Sequence, residues 1–164
     1  MNTPTSGKWA ASLFLLLLFF SCKQEQDVYG INDLTILPVN SEKDKPKTSS
    51  QYISILHTNL FQRAISPNRM LEALRAIESI GDKQIAYDIL VSKYMNDGDV
   101  VLPSEEEMRE DVEEFIRETY KRFLVRSPTE AELTWMRNFL NSGPNVTPEL
   151  VYFAFATSNE HFHY

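Results

Sequence analysis

Apolar residues recur every three or four positions along most of the chain from Tyr52 onward, and this spacing constrains the fold more than any other feature. It places apolar side chains on one face of an α-helix. Capping signals divide the pattern into separate helices. These signals are Ser66-Pro67, Ser104 with Glu107, Ser127-Pro128-Thr129-Glu130 and Thr147-Pro148. The sequence therefore predicts an all-α fold, a compact bundle of about six helices.

Three expectations concern individual helices. The helix that begins after Ser104 is expected to be the longest, running without interruption to about Leu124. The buried face of the next helix is expected to consist of Trp135, Met136, Phe139 and Leu140. The last helix is apolar on every side over residues 150–156, which predicts a position in the centre of the bundle.

Two stretches of the chain repeat the same order of signals. The first is a helix, Arg63, Ser66-Pro67, a helix, Gly81, and a helix with Tyr87. The second is a helix, Arg126-Ser127-Pro128, a helix, Gly143, and a helix with Tyr152. This order favours two diverged three-helix units joined by residues 96–103, although unrelated helical hairpins can share such caps. Repeats of this kind are typical of scaffolds and binding surfaces.

The first 22 residues have the order of a signal peptide. Lys8 is followed by an apolar run, Leu13–Phe20, and then by Ser21 and Cys22, the only cysteine of the chain. The run is too short for a transmembrane helix, which needs about 18–20 apolar residues. The sequence therefore predicts a signal peptide over residues 1–21.

Phe19-Phe20-Ser21-Cys22 resembles the bacterial lipoprotein lipobox, in the loose form common in Bacteroidetes. The resemblance implies cleavage between Ser21 and Cys22 and attachment of fatty acids such as palmitate to Cys22. The expected location is the cell envelope, in the outer membrane on its periplasmic or surface face. Lys23–Asp27 is similar to the signals that send some such lipoproteins to the cell surface, and it also fits a simple solvated spacer.

The mature chain is expected to consist of a tether and one helical domain. Residues 22–49 are predicted to be a lipidated flexible tether, in which Ser41–Ser50 is a linker and Val28–Val39 a short strand or irregular arm. Residues 50–164 are predicted to be the helical domain. The second half of this domain, from Tyr120-Lys121-Arg122-Phe123-Leu124 through Glu132-Leu133-x-Trp135 to Ser158-x-Glu160, resembles the small helical modules of the DUF4214 type found in bacterial envelope proteins. The resemblance implies a helical module without catalytic residues, and Val125 stands where these modules have glycine.

Charge and cysteine content exclude several classes of protein. The chain carries 16 basic and 23 acidic side chains, a net charge of −7. Its basic residues are scattered, so that we expect no nucleic-acid partner. A single cysteine cannot form a disulfide within the chain, and stability must come from the core.

No motif indicates catalysis, a metal site or a cofactor. His161-x-His163 offers two ligands where a zinc site needs three or four, and His57 stands alone. Asp97-x-Asp99 lacks the remaining ligands of a calcium loop. Glu105–Glu107 fits a helix start and Glu113-Glu114 a solvated face. Trp135, Phe153, Phe155 and Phe162 could line a ligand groove, but aromatic residues at helical spacing are more often part of a core.

Two functions remain open. The first is a non-enzymatic, lipid-anchored envelope protein whose helical bundle binds or scaffolds a partner protein, with the lipid on Cys22 as its membrane contact. The alternative is an envelope lipoprotein that holds a small ligand or cofactor in a groove between the two helical units. Arg126 and Arg63 are the candidate interaction residues. We expect both to fix the angle between helices, Arg126 by pairing with Glu130 or Glu132, and the competing interpretation is a shared anion-binding site.

Overall fold

The computed structural model describes residues 43–164, and this part of the chain consists of α-helices without a β-strand. The helices are α1 (Ser49–Phe61), α2 (Pro67–Ser79), α3 (Lys83–Met95), α4 (Glu105–Glu110), α5 (Val112–Leu124), α6 (Glu130–Leu140) and α7 (Pro148–Ala156), followed by a 3-10 turn at Glu160–Phe162. The predicted all-α bundle is confirmed. Among these helices there is none of the length and apolar character that a membrane crossing requires. The predicted signal peptide, Cys22 and residues 23–42 lie outside the described residues.

Side-chain caps begin α2, α4 and α7 where the sequence predicts them, whereas α6 is capped by Thr129, two residues after the predicted Ser127. Ser66 accepts a hydrogen bond from the backbone N–H of Arg69 and is followed by Pro67 at the first helical position. Ser104 and Glu107 form a reciprocal capping box, as do Thr129 and Glu132. These contacts satisfy backbone N–H groups that the helix itself leaves without a partner, so that the helix starts are encoded locally.

The expected longest helix is interrupted at Asp111, and the prediction of one continuous helix is wrong. Asp111 has φ −137° and ψ 85°, outside the helical range, and it ends α4. Its side chain accepts a hydrogen bond from the backbone N–H of Glu114 and so begins α5. An aspartate can stop a helix in this way because its short carboxylate competes for backbone N–H groups.

The helices form two three-helix units, α1–α3 and α5–α7, with α4 between them. Within the first unit all three helices pack against one another, while in the second unit α5 packs on both α6 and α7. The units meet through corresponding helices, α1 against α5 and α3 against α7. This arrangement agrees with the two units that the repeated signals favoured.

The same turn joins the first two helices of each unit. Gln62 and Val125 follow α1 and α5 with φ values of 52° and 55°, and they are the two non-glycine residues with positive φ within residues 43–164. Four residues later Ser66 and Thr129 cap the next helix. The structural match therefore pairs Ser66 with Thr129, and it corrects the sequence-based match of Ser66-Pro67 with Ser127-Pro128.

Two predictions of burial are corrected. Trp135 is 64% exposed and Phe139 is 36% exposed, because the buried stripe of α6 runs through Leu133, Met136 and Leu140. Leu150 in α7 is 46% exposed although α7 lies between α3 and α5. The face of α7 that carries Leu150 is therefore exposed to solvent, because α6 does not pack against it.

The described part of the predicted linker is bound to the C-terminus. The backbone N–H of Lys47 donates to the carbonyl of Phe162 at 2.8 Å, and that of Tyr164 donates to the carbonyl of Lys45 at 2.8 Å. The Lys47 ammonium donates to the carbonyls of His161 (2.6 Å) and His163 (2.7 Å). Residues 43–48, which we call the strap, are therefore not a flexible linker, and α1 begins one residue before the expected start of the domain at Ser50.

Candidate binding groove

An open apolar groove of about 310 Å³ lies between α5, α6 and α7. Its walls are mostly aliphatic and aromatic side chains, and charged groups gather at one end. The lining residues are Tyr120, Leu124, Arg126, Glu132, Trp135, Met136, Phe139, Val151, Ala154, Phe155, Ser158 and Glu160. The groove exists because α6 and α7 barely touch each other, whereas the corresponding helices α2 and α3 pack closely.

Two aromatic side chains form the exposed rim of the groove. The rings of Trp135 and Phe139 stack at a centroid distance of 5.5 Å with an interplanar angle of 5°. They lie four residues apart on α6 and so share a face of the helix. Exposed large aromatics beside an apolar groove are typical of surfaces that contact another molecule.

Arg126 holds the charged end of the groove together. Its guanidinium donates to both carboxylate oxygens of Glu132 (2.9 and 2.7 Å), to both of Glu160 (2.7 and 2.8 Å) and to the carbonyl of Ser127 (3.1 Å). These five bonds use all five N–H groups of the side chain. The guanidinium also lies over the ring of Tyr120, 5.0 Å from its centroid. We call this arrangement the Arg126 clasp.

The clasp joins three separate parts of the chain. Arg126 follows α5, Glu132 is in the first turn of α6, and Glu160 begins the turn after α7. The hydrogen bond from Arg126 lowers the pKa of Glu132 to about 2. Burial opposes this shift, and the backbone hydrogen bond from Thr129 adds to it. Glu160 and Glu132 in turn raise the pKa of Arg126 above its already high value.

The strap adds a second buried cation to this end of the groove. The Lys43 ammonium lies 3.6 Å from Glu160 and donates to the carbonyl of Leu124. Only 5% of the Lys43 side chain and 8% of the Arg126 side chain are exposed, whereas Glu132 and Glu160 are 32% and 29% exposed. The two positive charges therefore lie beneath the two negative ones.

The first unit contains a counterpart of the clasp. Arg63 occupies the position of Arg126, directly after the residue with positive φ, and donates to Asp99 at 2.6 Å. Asp99 and Glu160 stand at the same distance after α3 and α7, three residues beyond the capping residues Asn96 and Thr157. The counterpart is a surface ion pair, since the side chains of Arg63 and Asp99 are 54% and 63% exposed.

The first unit also contains a counterpart of the groove, with a volume of about 50 Å³. Counted from the capping residues, Glu72 and Ala76 occupy the positions of Trp135 and Phe139. Counted from the N-caps Asp82 and Thr147, Ile89 and Lys93 occupy the positions of Ala154 and Ser158; because α3 has 13 residues and α7 has 9, Ser158 lies two residues beyond the end of α7. Lys93 pairs with Glu72 at 2.5 Å across the first groove. The second groove has lost this ion pair and the isoleucine side chain, and it has gained the two aromatic rings.

None of the three histidines lines the groove. His161 is buried, its Nε2 lies 3.4 Å from the amide nitrogen of Asn59, and its Nδ1 has no partner within the described structure. Burial, followed by the charge of Lys47, lowers the pKa of His161 to about 3, so that the ring is neutral near pH 7. His57 binds the carbonyl of Arg63 through Nδ1. Within residues 43–164 no three His, Cys, Asp or Glu side chains are grouped as metal ligands would be.

The two candidate interaction residues, Arg126 and Arg63, lie in different units. Arg126 lies in the groove and pairs with Glu132 rather than with Glu130, while Arg63 lies in the other unit and pairs with Asp99. They do not share a site. Sequence reasoning missed Glu160, and Cys22 lies outside the described residues. Of the aromatics considered as groove residues, Trp135 and Phe155 line the groove, whereas Phe162 stacks on Tyr52.

Comparison with known proteins gives no relative: no family model, no curated protein and no solved structure matches the chain. The resemblance to DUF4214-type modules and to the lipobox therefore stays a prediction. The geometry of the groove is the remaining guide to function.

Proposed function

We propose that this protein is a lipid-anchored, non-enzymatic envelope protein whose helical domain binds a partner protein through the groove of the second unit. The observation that carries the proposal is the exposed Trp135–Phe139 stack beside an open apolar groove. In a protein exposed to water such a surface is unfavourable unless another molecule covers it for part of the time. Aromatic side chains are also enriched where proteins bind one another.

In this proposal the domain is held at a membrane by the lipid on Cys22. The support for this anchor is the signal-like order of residues 1–22 and the position of the only cysteine. Several acyl chains on one cysteine would give stable anchoring, which a single chain does not. We expect Cys22→Ala to abolish labelling by a fatty-acid analogue in cells; equal labelling of the variant and the wild type would contradict the anchor.

Site-specific photocrosslinking in cells tests the groove. A photoreactive phenylalanine analogue at position 139 should form adducts of protein size, whereas the same analogue at position 76 should not. Ala76 is a matched control because it is exposed and occupies the corresponding position in the first unit. Equal adducts at both positions, or none at 139, would overturn the proposal.

The alternative function is the binding of a small ligand. The groove volume is at the lower end of the range found for small-molecule pockets, and the groove lies within the second unit rather than between the units. A small ligand would leave no protein adduct at position 139. The same experiment therefore distinguishes the two functions.

A further inference from the structure

We infer that the groove of the second unit binds a polypeptide segment in which a lysine or arginine follows an apolar residue by four positions. This inference deepens the proposed function, on which it rests, by naming the chemistry of the partner. Three observations carry it: the hydrogen-bonding capacity of the charged end, the depth of its charges, and the difference between the two units.

The charged groups that line the groove, which are Arg126, Glu132 and Glu160, can accept further hydrogen bonds but have no N–H left to donate. Arg126 uses its five N–H groups within the clasp. Each carboxylate oxygen can accept two hydrogen bonds. Glu132 Oε1 and Glu160 Oε2 each keep capacity for another donor, whereas Glu132 Oε2 also accepts from the backbone N–H of Thr129 and Glu160 Oε1 lies 3.6 Å from the Lys43 ammonium. A ligand that contacts these charged groups must therefore present N–H or O–H groups.

The depth of the charges makes this end attractive to a cation. A ligand approaching from solvent meets the carboxylates of Glu132 and Glu160, which are about a third exposed, before it meets Lys43 or Arg126, which are nearly buried. Burial weakens screening by water, but the nearest charges dominate the interaction. The chain as a whole carries a net charge of −7, which adds to the preference. An anionic ligand such as a carboxylate or phosphate is disfavoured on each count.

The first unit shows which groups the second unit lacks. Its groove is lined by Ile89 and by Lys93, one turn further along α3, and the lysine pairs with Glu72. Ala154 and Ser158 replace these two residues in the second unit. The second groove therefore lacks an aliphatic side chain and an ammonium, which are four residues apart on α3, and its carboxylates are those of Glu132 and Glu160 rather than one at the position of Glu72, where it has Trp135. A partner segment with the same pair of side chains would supply both.

Peptide binding tests the inference. The probes are two synthetic peptides of equal length that differ only where one has lysine and the other glutamate, four residues after a common isoleucine. The chain from residue 23 lacks only the predicted signal peptide and the lipid-bearing cysteine, and Trp135 is its single tryptophan. Because Trp135 is mostly exposed, a bound peptide should shift its fluorescence to shorter wavelength.

We expect saturable binding of the lysine peptide that is at least about 10-fold tighter than that of the glutamate peptide, a difference of about 1.4 kcal/mol. Ala154→Ile should abolish the shift by restoring the side chain of the first unit, while Leu71→Ala, on an exposed position of α2, should not change it. Equal binding of both peptides, tighter binding of the glutamate peptide, or binding of neither would overturn the inference.

Three further outcomes locate the error. If decylamine binds as tightly as the lysine peptide, the occupant is a small amphiphilic cation and the polypeptide part of the inference is wrong. If adducts form at position 139 in cells but neither peptide is preferred, the proposed function stands and the chemistry of the partner is wrong. If no adducts form at position 139, the proposed function itself fails.

Discussion

The Arg126 clasp makes a quantitative prediction for Arg126→Lys, which keeps the charge but removes the planar guanidinium. Arginine donates five hydrogen bonds here, while a lysine ammonium has three N–H groups. At least two bonds are lost, and hydrogen bonds to charged groups contribute roughly 1.5–3 kcal/mol each. Because the carboxylates are about a third exposed, water replaces part of the loss, and we expect a decrease of about 2–3 kcal/mol in the free energy of unfolding.

The matched control is Arg63→Lys in the first unit. Arg63 stands at the corresponding position, but it makes one bond to Asp99 and both side chains are more than half exposed. Exposed ion pairs of this kind contribute about 0–1 kcal/mol, and we expect the substitution to cost less than about 0.5 kcal/mol. Urea denaturation followed by circular dichroism measures both variants. For a domain of this size the corresponding drop in Tm is about 6–12 °C for Arg126→Lys and under about 3 °C for Arg63→Lys.

Equal losses in the two variants would refute the reasoning, because they would show that the second carboxylate and the burial of Arg126 have no effect. A stable Arg126→Lys variant that no longer responds to added phosphate, under conditions in which phosphate stabilises the wild type, would establish the competing anion site. In the clasp as it stands, Arg126 has no N–H left for an anion.

Three further predictions follow from single residues. Trp135→Ala should lower the free energy of unfolding by less than about 1 kcal/mol, since the ring is 64% exposed and loses mainly its stacking on Phe139; a loss above 2 kcal/mol in urea denaturation would place the ring in the core. Val125→Gly should raise the free energy of unfolding by up to about 1 kcal/mol. A β-branched residue at φ 55° costs about 1–2 kcal/mol, and the greater freedom of glycine in the unfolded chain offsets about 0.5–1 kcal/mol of that gain. A lower Tm of the variant would contradict this prediction. The pKa of Glu132 is lowered to about 2 in the folded state, so that its contribution to the free energy of unfolding is complete above the unfolded pKa of about 4.5 and is lost as the pH falls towards 2. Between pH 5 and 2.5 the wild type should therefore lose about 1–2 kcal/mol more of its free energy of unfolding than Glu132→Gln. Parallel stability profiles of the two proteins would exclude this role.

Local signals explain which parts of the fold could be predicted. The helix starts at Pro67, Glu105 and Pro148 follow capping residues whose contacts span three positions, so that the sequence contains them in full. At α6 the sequence offers both Ser127 and Thr129 as caps, and the structure uses Thr129. The break at Asp111 was missed because Asp111 sits within an apolar pattern that continues on both sides. Whether such an aspartate faces solvent within a helix or caps a new one depends on how the two helices pack.

The exposed face of α6 could not be predicted from periodicity alone. Leu133, Met136 and Leu140 have helical spacing, and so do Trp135 and Phe139. Both stripes satisfy the pattern, and the position of α6 against α5 decides which one is buried. A sequence also gives no direct sign that Val125 adopts positive φ, a conformation that β-branched residues rarely take.

The groove could not be predicted from local sequence signals, because its charged end joins residues that are distant in the sequence. Glu160 is 34 positions from Arg126 in the sequence. A signal was nevertheless present in the internal repeat, since Asp99 stands 36 positions after Arg63, and aligning the units would have pointed to an acidic partner for each arginine. Aligning the two units by their prolines pairs Ser66 with Ser127, two residues before Thr129, which is its counterpart in the structure.

The strap has a consequence for the order of folding. Each three-helix unit is built from neighbouring helices, so that it can form soon after its own residues are available. The hydrogen bonds of the Lys47 ammonium join residues 114 and 116 positions apart, and they close a loop that spans nearly the whole helical domain. During vectorial synthesis or export, Lys43 and Lys47 emerge early, but Lys43 has no partner until Leu124 and Glu160 follow, and Lys47 has none until residues 161–163 follow. Attachment of the strap is therefore expected to be the final step, and the charged end of the groove acquires its second buried cation when the chain is complete.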